Sequence, residues 1–132
     1  MENKKIIVSK KEVDLYKKLI ENSYTVDPVE KKSHRKLYNE LQTAFLLEIS
    51  EMPPNIVRLN SIVTIQTSFG RKDGIQLVLP EEGDLGKRKL SIMSPMGSAL
   101  IGYQEGDEVI WNLPNGEDKI KIEKVINGIN VV

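Results

Sequence analysis

Residues 94–102 read Ser-Pro-Met-Gly-Ser-Ala-Leu-Ile-Gly, and this stretch decides how the second half of the chain folds. A Ser-Pro pair is typical of a helix start, because the serine oxygen accepts from a free main-chain amide and proline fits the first helical position. Gly102 suits the end of that helix, since glycine adopts a left-handed conformation without steric cost. The stretch therefore predicts one short helix.

On either side of this helix the sequence has the pattern of β-strands. The strand-like segments are separated by turn residues at 70–74, an acidic loop at 81–86 and the hairpin signal Pro114-Asn115-Gly116. The predicted strands occupy residues 62–67, 75–79, 87–93, 109–113 and 119–126. We therefore predict an antiparallel β-sheet with one short helix, in an overall α+β fold.

The backbone type changes near residue 52. Residues 1–52 contain no glycine and a single proline, whereas residues 53–132 hold all nine glycines and the other five prolines. Helices followed by a sheet are the natural interpretation of this change. We therefore predict a short helical arm at 1–52 and a β domain at 53–132.

The arm itself is predicted to contain a short strand at 6–8 and two helices. Ser9 and Glu12 have the spacing of a capping box, which begins a helix at 10–22. Asp27-Pro28-Val29-Glu30 starts a second helix, which apolar residues at helical spacing continue to Met52. We expect an antiparallel hairpin, a stubby coiled coil, in which the second half of the second helix docks on the sheet and its first half projects.

Composition excludes several classes of protein. The 132 residues include 19 basic and 19 acidic side chains, and the zero net charge disfavours a general nucleic-acid coat protein. The chain has no cysteine and one histidine, His34, so we expect neither a metal site nor a Ser-His-Asp triad, and no cofactor. The longest apolar run is 44–47, and the N-terminus lacks the pattern of a signal peptide. We expect a cytoplasmic protein.

The stretch 94–102, followed by Gly-Asp-Glu-Val at 106–109 and by 113–123, resembles the C-terminal domain of the Gre transcript-cleavage factors. Within that superfamily the chain is most similar to the branch of Rnk, the regulator of nucleoside diphosphate kinase. Glu51-Met52-Pro53 and Leu90-Ser91-Ile92-Met93 fit that branch. The resemblance implies an FKBP-like sheet carrying a short coiled coil, a bacterial origin and RNA polymerase as the partner.

The resemblance raises the question of transcript cleavage. Gre factors place an Asp-x-x-Glu pair at the tip of a long coiled coil, where the carboxylates help to hold a catalytic magnesium ion in the secondary channel of the polymerase. Asp27 and Glu30 have that spacing here, although a helix cap requires the same spacing. A helix at 10–22 is about 20 Å long, which is too short for the tip to reach the active site. We therefore predict no cleavage activity.

The same resemblance points to residues that contact the polymerase. In the cleavage factors the segment corresponding to Ser94, Pro95, Met96 and Gly97 faces the rim helices of the secondary channel. An aspartate usually precedes the Ser-Pro pair there, and Met93 stands in its place in this chain. A helix cap explains Ser94 and Pro95 equally well, and the two roles are compatible. We expect Met96 to be exposed.

Two other features have both a functional and a structural interpretation. The basic run at 31–36 suits phosphate or an acidic protein surface, but also a solvated helix face on which His34 would be exposed. Trp111 fits a core or sheet-face position. An FKBP-like fold suggests prolyl isomerase activity, yet the β domain offers only Phe69, Tyr103 and Trp111 for an aromatic pocket.

The leading hypothesis is a non-catalytic, monomeric transcription regulator at the entrance of the secondary channel. It would contact nucleic acid only through the polymerase complex and would not interact with membranes. The alternative is an enzyme, either a weak cleavage factor that uses Asp27 and Glu30 or a residual prolyl isomerase. A third possibility is an interaction module for another helical hairpin.

Overall fold

The computed structural model describes residues 4–128 and confirms the predicted α+β fold. The first elements along the chain are β1 (Ile7–Ser9), α1 (Val13–Asn22), α2 (Pro28–Gln42) and β2 (Phe45–Leu47). The later elements are β3 (Ile62–Thr67), β4 (Gly70–Val78), β5 (Lys89–Ser91), α3 (Pro95–Leu100), β6 (Glu108–Leu113) and β7 (Gly116–Ile126). Single-turn 3-10 helices lie at Ile49–Glu51, Pro80–Glu82 and Leu85–Lys87.

Five strands form the main sheet in the order β5-β4-β3-β7-β6. The pairs β3–β4, β3–β7 and β6–β7 are antiparallel, as predicted, whereas β5 runs parallel to β4 at the edge. Between β4 and β5 the chain passes through two single-turn 3-10 helices. These carry the chain back past Val78, so that Lys89 starts β5 beside Gln76 of β4. Because β5 starts level with the middle of β4 and then follows it, the two strands run in the same direction.

The turn between β3 and β4 lies earlier than the sequence predicts. Residues 70–74 belong to β4, and the chain reverses at 67–70, where the Thr67 hydroxyl accepts from the amide of Phe69 and donates to the carbonyl of Gly70. The β3–β4 register shifts between Val63 and Ile65. Gly74 lies opposite this irregularity with φ +65°, a conformation that glycine adopts without the strain of a side chain.

Helix α1 begins at Val13, three residues after the predicted start. The Ser9 hydroxyl does accept from the amide of Glu12, but the Glu12 carboxylate does not return to cap the helix. It accepts instead from the hydroxyl of Tyr16 at 3.0 Å and lies 3.4 Å from the guanidinium of Arg58. Tertiary contacts of Glu12 therefore replace the predicted capping box.

Helix α2 ends at Gln42, so the predicted continuation to Met52 is wrong. Phe45–Leu47 forms β2, which pairs in parallel with β1. The amide of Phe45 donates to the carbonyl of Ile6 at 2.9 Å, and the amide of Lys10 donates to Leu47 at 2.8 Å. Three consecutive large apolar residues suit a strand as well as a helix, and the available edge of β1 favours the strand.

One hydrophobic core joins residues from both predicted regions. Ile6, Val13, Tyr16, Leu37 and Leu41 pack in the same cluster as the buried residues of the main sheet and α3. In α2 the buried residues begin at Ser33, so only the five residues before it can project, rather than the predicted first half.

The predicted pair of N-terminal helices is confirmed, and α1 and α2 meet through side chains. The Lys17 ammonium lies 6.0 Å from the centre of the Tyr38 ring, and the Tyr38 hydroxyl donates to Glu21 at 3.3 Å. Between residues 4 and 128, none of the helices has the length and apolar character needed to cross a bilayer. The division of the chain into regions 1–52 and 53–132 stays a prediction. Residues 1–3 of the first region and 129–132 of the second lie outside the described residues.

Candidate functional site

The segment that starts α3 is held by a compact set of hydrogen bonds centred on Ser94. The Ser94 hydroxyl accepts from the amide of Gly97 at 3.0 Å and donates to the carbonyl of Ser91 at 2.7 Å. Pro95 occupies the first turn, as the sequence predicts. The Ser-Pro pair is therefore a helix cap, which fixes the direction in which Pro95 and Met96 leave the sheet.

Gly97 is required by close packing, a reason that the sequence does not reveal. Its φ is ordinary for a helix, but a Cβ atom at this position would lie 2.2 Å from the carbonyl oxygen of Ser91. Gly97 is itself buried. It therefore keeps the first turn of α3 against the end of β5 and is not available to a partner.

His34 supports the same segment from below, and the prediction that it is exposed is wrong. It is 6% exposed, and its Nε2 lies 2.7 Å from the main-chain carbonyl of Met93. A carbonyl can only accept, so Nε2 carries the proton and donates. His34, Leu37 and Leu41 lie at helical spacing on the buried face of α2, and that spacing is the signal that could have identified His34 as buried.

A second contact between α2 and the sheet lies one residue earlier. The side-chain amide of Asn112, which is buried on β6, donates to the hydroxyl of Ser33 at 3.3 Å, and that hydroxyl in turn donates to the carbonyl of Val29. Ser33 thus attaches α2 to β6, and His34 attaches α2 to Met93, which precedes the cap of α3. The basic run at 31–36 is thus divided, because its two central residues face inward while Lys31, Lys32 and Arg35 are exposed.

Three of the four predicted polymerase-contacting residues remain accessible. Ser94, Pro95 and Met96 are half-buried, and the Met96 side chain packs partly against the core, so it is less exposed than predicted. The accessible surface is a small patch formed by the first turn of α3. A flexible, unbranched methionine on such a patch suits contact with an imperfectly matched partner surface.

The predicted acidic pair, Asp27 and Glu30, lies at the N-terminus of α2, and Asp27 caps this helix. An Asp27 carboxylate oxygen accepts from the amide of Val29 at 2.9 Å, which confirms the predicted N-cap. Glu30 lies in the first turn and is half-buried. Two large side chains of this loop are highly exposed, Tyr24 at 89% and Val26 at 72%, and the sequence analysis did not single them out.

The structure places the aromatic residues of the β domain at two positions. Phe69 and Trp111 form an edge-to-face pair with ring centres 6.5 Å apart, and Trp111 is half-buried. The Tyr103 hydroxyl instead donates to Glu40 of α2 at 2.6 Å. Among residues 4–128, no group of three or more His, Asp or Glu side chains is arranged to hold a metal ion.

The main sheet and the capped segment at the start of α3 lie within a part of the chain that matches a family of transcription elongation factor domains. Residues 52–127 match the family described as transcription elongation factor, GreA/GreB, C-terminal, and the chain belongs to this family. The match begins where the backbone type changes in the sequence. The resemblance to Gre factors is therefore confirmed.

Two curated relatives illustrate the similarity. The chain is 36% identical over 88 residues to a transcription elongation factor GreA of Clostridium acetobutylicum, an alignment that covers 66% of this chain and 56% of the relative. It is 37% identical over 78 residues to the regulator of nucleoside diphosphate kinase of Escherichia coli K12, covering 58% and 57%. The aligned part is thus little more than half the length of either relative.

A solved structure resembles nearly the whole chain. The prokaryotic transcription elongation factor GreA/GreB from Nitrosomonas europaea superposes with a TM-score of 0.72 at 30% sequence identity, covering 95% of this chain and 100% of that one. The likeness thus includes the two N-terminal helices as well as the sheet. It supports the α+β architecture described above.

Proposed function

We propose that this protein is a regulator of transcription that binds RNA polymerase at the entrance of the secondary channel and does not stimulate transcript cleavage. Family membership supports the polymerase as the partner. The observation that carries the proposal is the capped first turn of α3, which presents Pro95 and Met96 on a support fixed by His34. The protein would act as a monomer in the bacterial cytoplasm and touch nucleic acid only through the polymerase.

The dimensions of the helices do not favour cleavage activity. Helix α1 has 10 residues, so it is about 15 Å long. In α2 only five residues, about 8 Å of helix, precede the first buried residue, Ser33. A tip that projects so little would leave Asp27 and Glu30 near the rim when the β domain sits at the channel entrance.

The acidic pair also has a complete structural role. Asp27 caps α2, and Glu30 is favoured in the first turn because carboxylates interact well with the positive end of a helix. Neither residue therefore requires a catalytic explanation. The alternative, a weak cleavage factor, rests on the family relationship and on the Asp-x-x-Glu spacing alone.

Purified core RNA polymerase and a backtracked elongation complex with magnesium test the proposal. We expect the protein to bind the core enzyme, to leave the RNA at full length and to reduce cleavage by a longer-armed Gre factor added in competition. The control is the double variant Asp27→Asn with Glu30→Gln. Asparagine is an equally good N-cap, so this variant should fold and bind like the wild type. Shortened RNA that depends on these two carboxylates would establish the cleavage alternative, whereas failure to bind the core enzyme would overturn the proposal.

A further inference from the structure

The chain contains no cysteine, so methionine supplies all of its sulfur. Three of its four methionines, Met52, Met93 and Met96, lie among the described residues 4–128. With no thiol to compete, the thioether sulfur is the group that a hydroperoxide oxidises, and the product is a sulfoxide. The place of each methionine in the fold therefore decides where a mild oxidant acts on this protein.

The three methionines differ in how open they are to solvent. Met93 is 8% exposed, its side chain belongs to the hydrophobic core, and its amide donates to the Ser91 hydroxyl at 2.9 Å. Met96 lies three residues later and is half-buried at the edge of the same core. Met52 is also half-buried, but it lines a small cavity with Ile101, at the far end of α3. An oxidant dissolved in water therefore reaches Met96 and Met52 more readily than Met93.

The first turn of α3 cannot rotate to hide a modified Met96. The Ser94 hydroxyl fixes this turn, since it accepts from the amide of Gly97 and donates to the carbonyl of Ser91. At Gly97 the turn lies so close to β5 that a Cβ atom would meet the same carbonyl oxygen at 2.2 Å. The side chain of Met96 therefore leaves the main chain in a set direction, whatever its oxidation state.

Oxidation would change the chemistry of this patch. The thioether sulfur attacks one oxygen of hydrogen peroxide, the O–O bond breaks, and the other oxygen leaves as water. The sulfur loses two electrons, the peroxide gains two, and the flexible apolar side chain becomes a polar one. A sulfoxide oxygen is a hydrogen-bond acceptor, and burying it against an apolar partner surface leaves it without a donor.

We propose that Met96 is a site of reversible oxidation and that its sulfoxide releases the protein from RNA polymerase. This inference rests on the proposed function, because Met96 belongs to the patch that we propose as the polymerase contact. A thiol-dependent reductase reverses the step: the sulfoxide oxygen leaves as water while two thiols of the reductant form a disulfide. Polymerase binding would then respond to oxidant, although the chain has no thiol of its own.

Hydrogen peroxide and two leucine variants test the proposal. Peptide mass spectrometry of the treated, folded protein follows sulfoxide formation, and we expect Met96 to react at least about tenfold faster than Met93. Met52→Leu leaves Met96 to react, and its affinity for core polymerase should fall at least about fivefold on treatment. Met96→Leu is the matched control, because Met52 still reacts while the patch does not. Each variant is compared with its own untreated sample, and the control should bind equally well before and after treatment.

Reduction and a folding check complete the test. Methionine sulfoxide reductases of both stereospecificities, with dithiothreitol as the thiol, should restore the binding of treated Met52→Leu. Circular dichroism should show the same folded protein before and after treatment. Unfolding on oxidation would overturn the proposal, and so would equal reaction of Met93 and Met96 or full-strength binding with Met96 oxidised. If the untreated protein does not bind polymerase, the proposed function fails, and the release from polymerase fails with it, while the oxidation map still decides whether Met96 is the reactive site.

Discussion

His34 donates a hydrogen bond from Nε2 to the main-chain carbonyl of Met93 over 2.7 Å, although the two residues are 59 positions apart in the chain. Met93 immediately precedes the Ser94 cap, so a helix of the N-terminal region holds the segment that we propose as the polymerase contact. The accessible patch and its support therefore come from different parts of the sequence.

Replacing His34 by leucine should remove the hydrogen bond to Met93 while filling the same space with an apolar side chain of similar size. The Met93 carbonyl would lose its donor, and leaving a buried acceptor unpaired typically costs about 1–3 kcal/mol of unfolding free energy. Urea unfolding measures the loss, and a titration with core polymerase should show weaker binding. His34→Gln keeps a hydrogen-bond donor, so it should retain part of the stability and part of the polymerase binding. A leucine variant as stable as the wild type would contradict the prediction.

Alanine at position 97 should destabilise the protein even though alanine is the better helix former. The new Cβ would lie 2.2 Å from the Ser91 carbonyl oxygen, so the first turn of α3 must move. We expect the unfolding free energy to fall by more than about 1 kcal/mol, against a gain of similar size that helix propensity alone predicts. Gly83→Ala, where the nearest atom is 3.5 Å away, is the matched control and should change stability little. A more stable Gly97→Ala variant would show that the close approach is not a constraint.

Met96→Asp should weaken polymerase binding by at least about tenfold, or about 1.4 kcal/mol, because a few residues carry most of the energy of such a patch. Met96 is half-buried, so we expect some loss of stability but a folded protein, which circular dichroism checks. Leu85→Asp introduces the same charge at a side chain that is 74% exposed outside the patch and should bind normally. Undiminished binding by folded Met96→Asp would remove this segment from the interface.

The stability of the fold should decline at alkaline pH because of Tyr16, which is buried, and Tyr103, which is half-buried. Burial, and then the neighbouring Glu12 carboxylate, raise the pKa of Tyr16 far above its ordinary value, and burial together with Glu40 raises the pKa of Tyr103. The folded state keeps these protons while the unfolded chain releases them above about pH 10. The stabilisation is therefore fully present below that pH and is lost as pH rises.

Urea unfolding at a series of pH values checks this expectation. The decline above pH 10 should be shallower in Tyr16→Phe and shallower still when Tyr103→Phe is added. At neutral pH the Tyr16 variant should already be less stable by about 1–3 kcal/mol, since the hydroxyl bonds both Glu12 and the amide of Leu59. An unchanged alkaline slope in the double variant would contradict the assignment.

Features that depend on neighbours in sequence could be predicted. The caps at Asp27 and Ser94 follow from the chemistry of one side chain and the next three residues, and both are present. The strands around α3 could be predicted because alternating side chains and turn residues mark them locally. The same local evidence supported the resemblance that the family match confirms.

Features that depend on distant partners could not be predicted in this way. Residues 45–47 form a strand because β1 offers an edge, which no pattern within the segment reveals. The Glu12 carboxylate binds Arg58, which is 46 positions away in the chain, and so does not complete the capping box. The parallel direction of β5 depends on how the preceding loop folds back along β4.

The pairing of β1 has a consequence for how the protein is made. The amide of Ile7 donates to the carbonyl of Gly102, and Ile6 packs so closely there that a Cβ on residue 102 would lie 2.6 Å from the Cβ of Ile6. Strand β1 therefore waits for a segment that is synthesised much later. Contacts of such long sequence separation slow folding, because closing the intervening loop costs conformational entropy before the contact contributes stability. Emergence of the segment around Gly102 from the ribosome thus sets the earliest moment at which β1 can reach its final position.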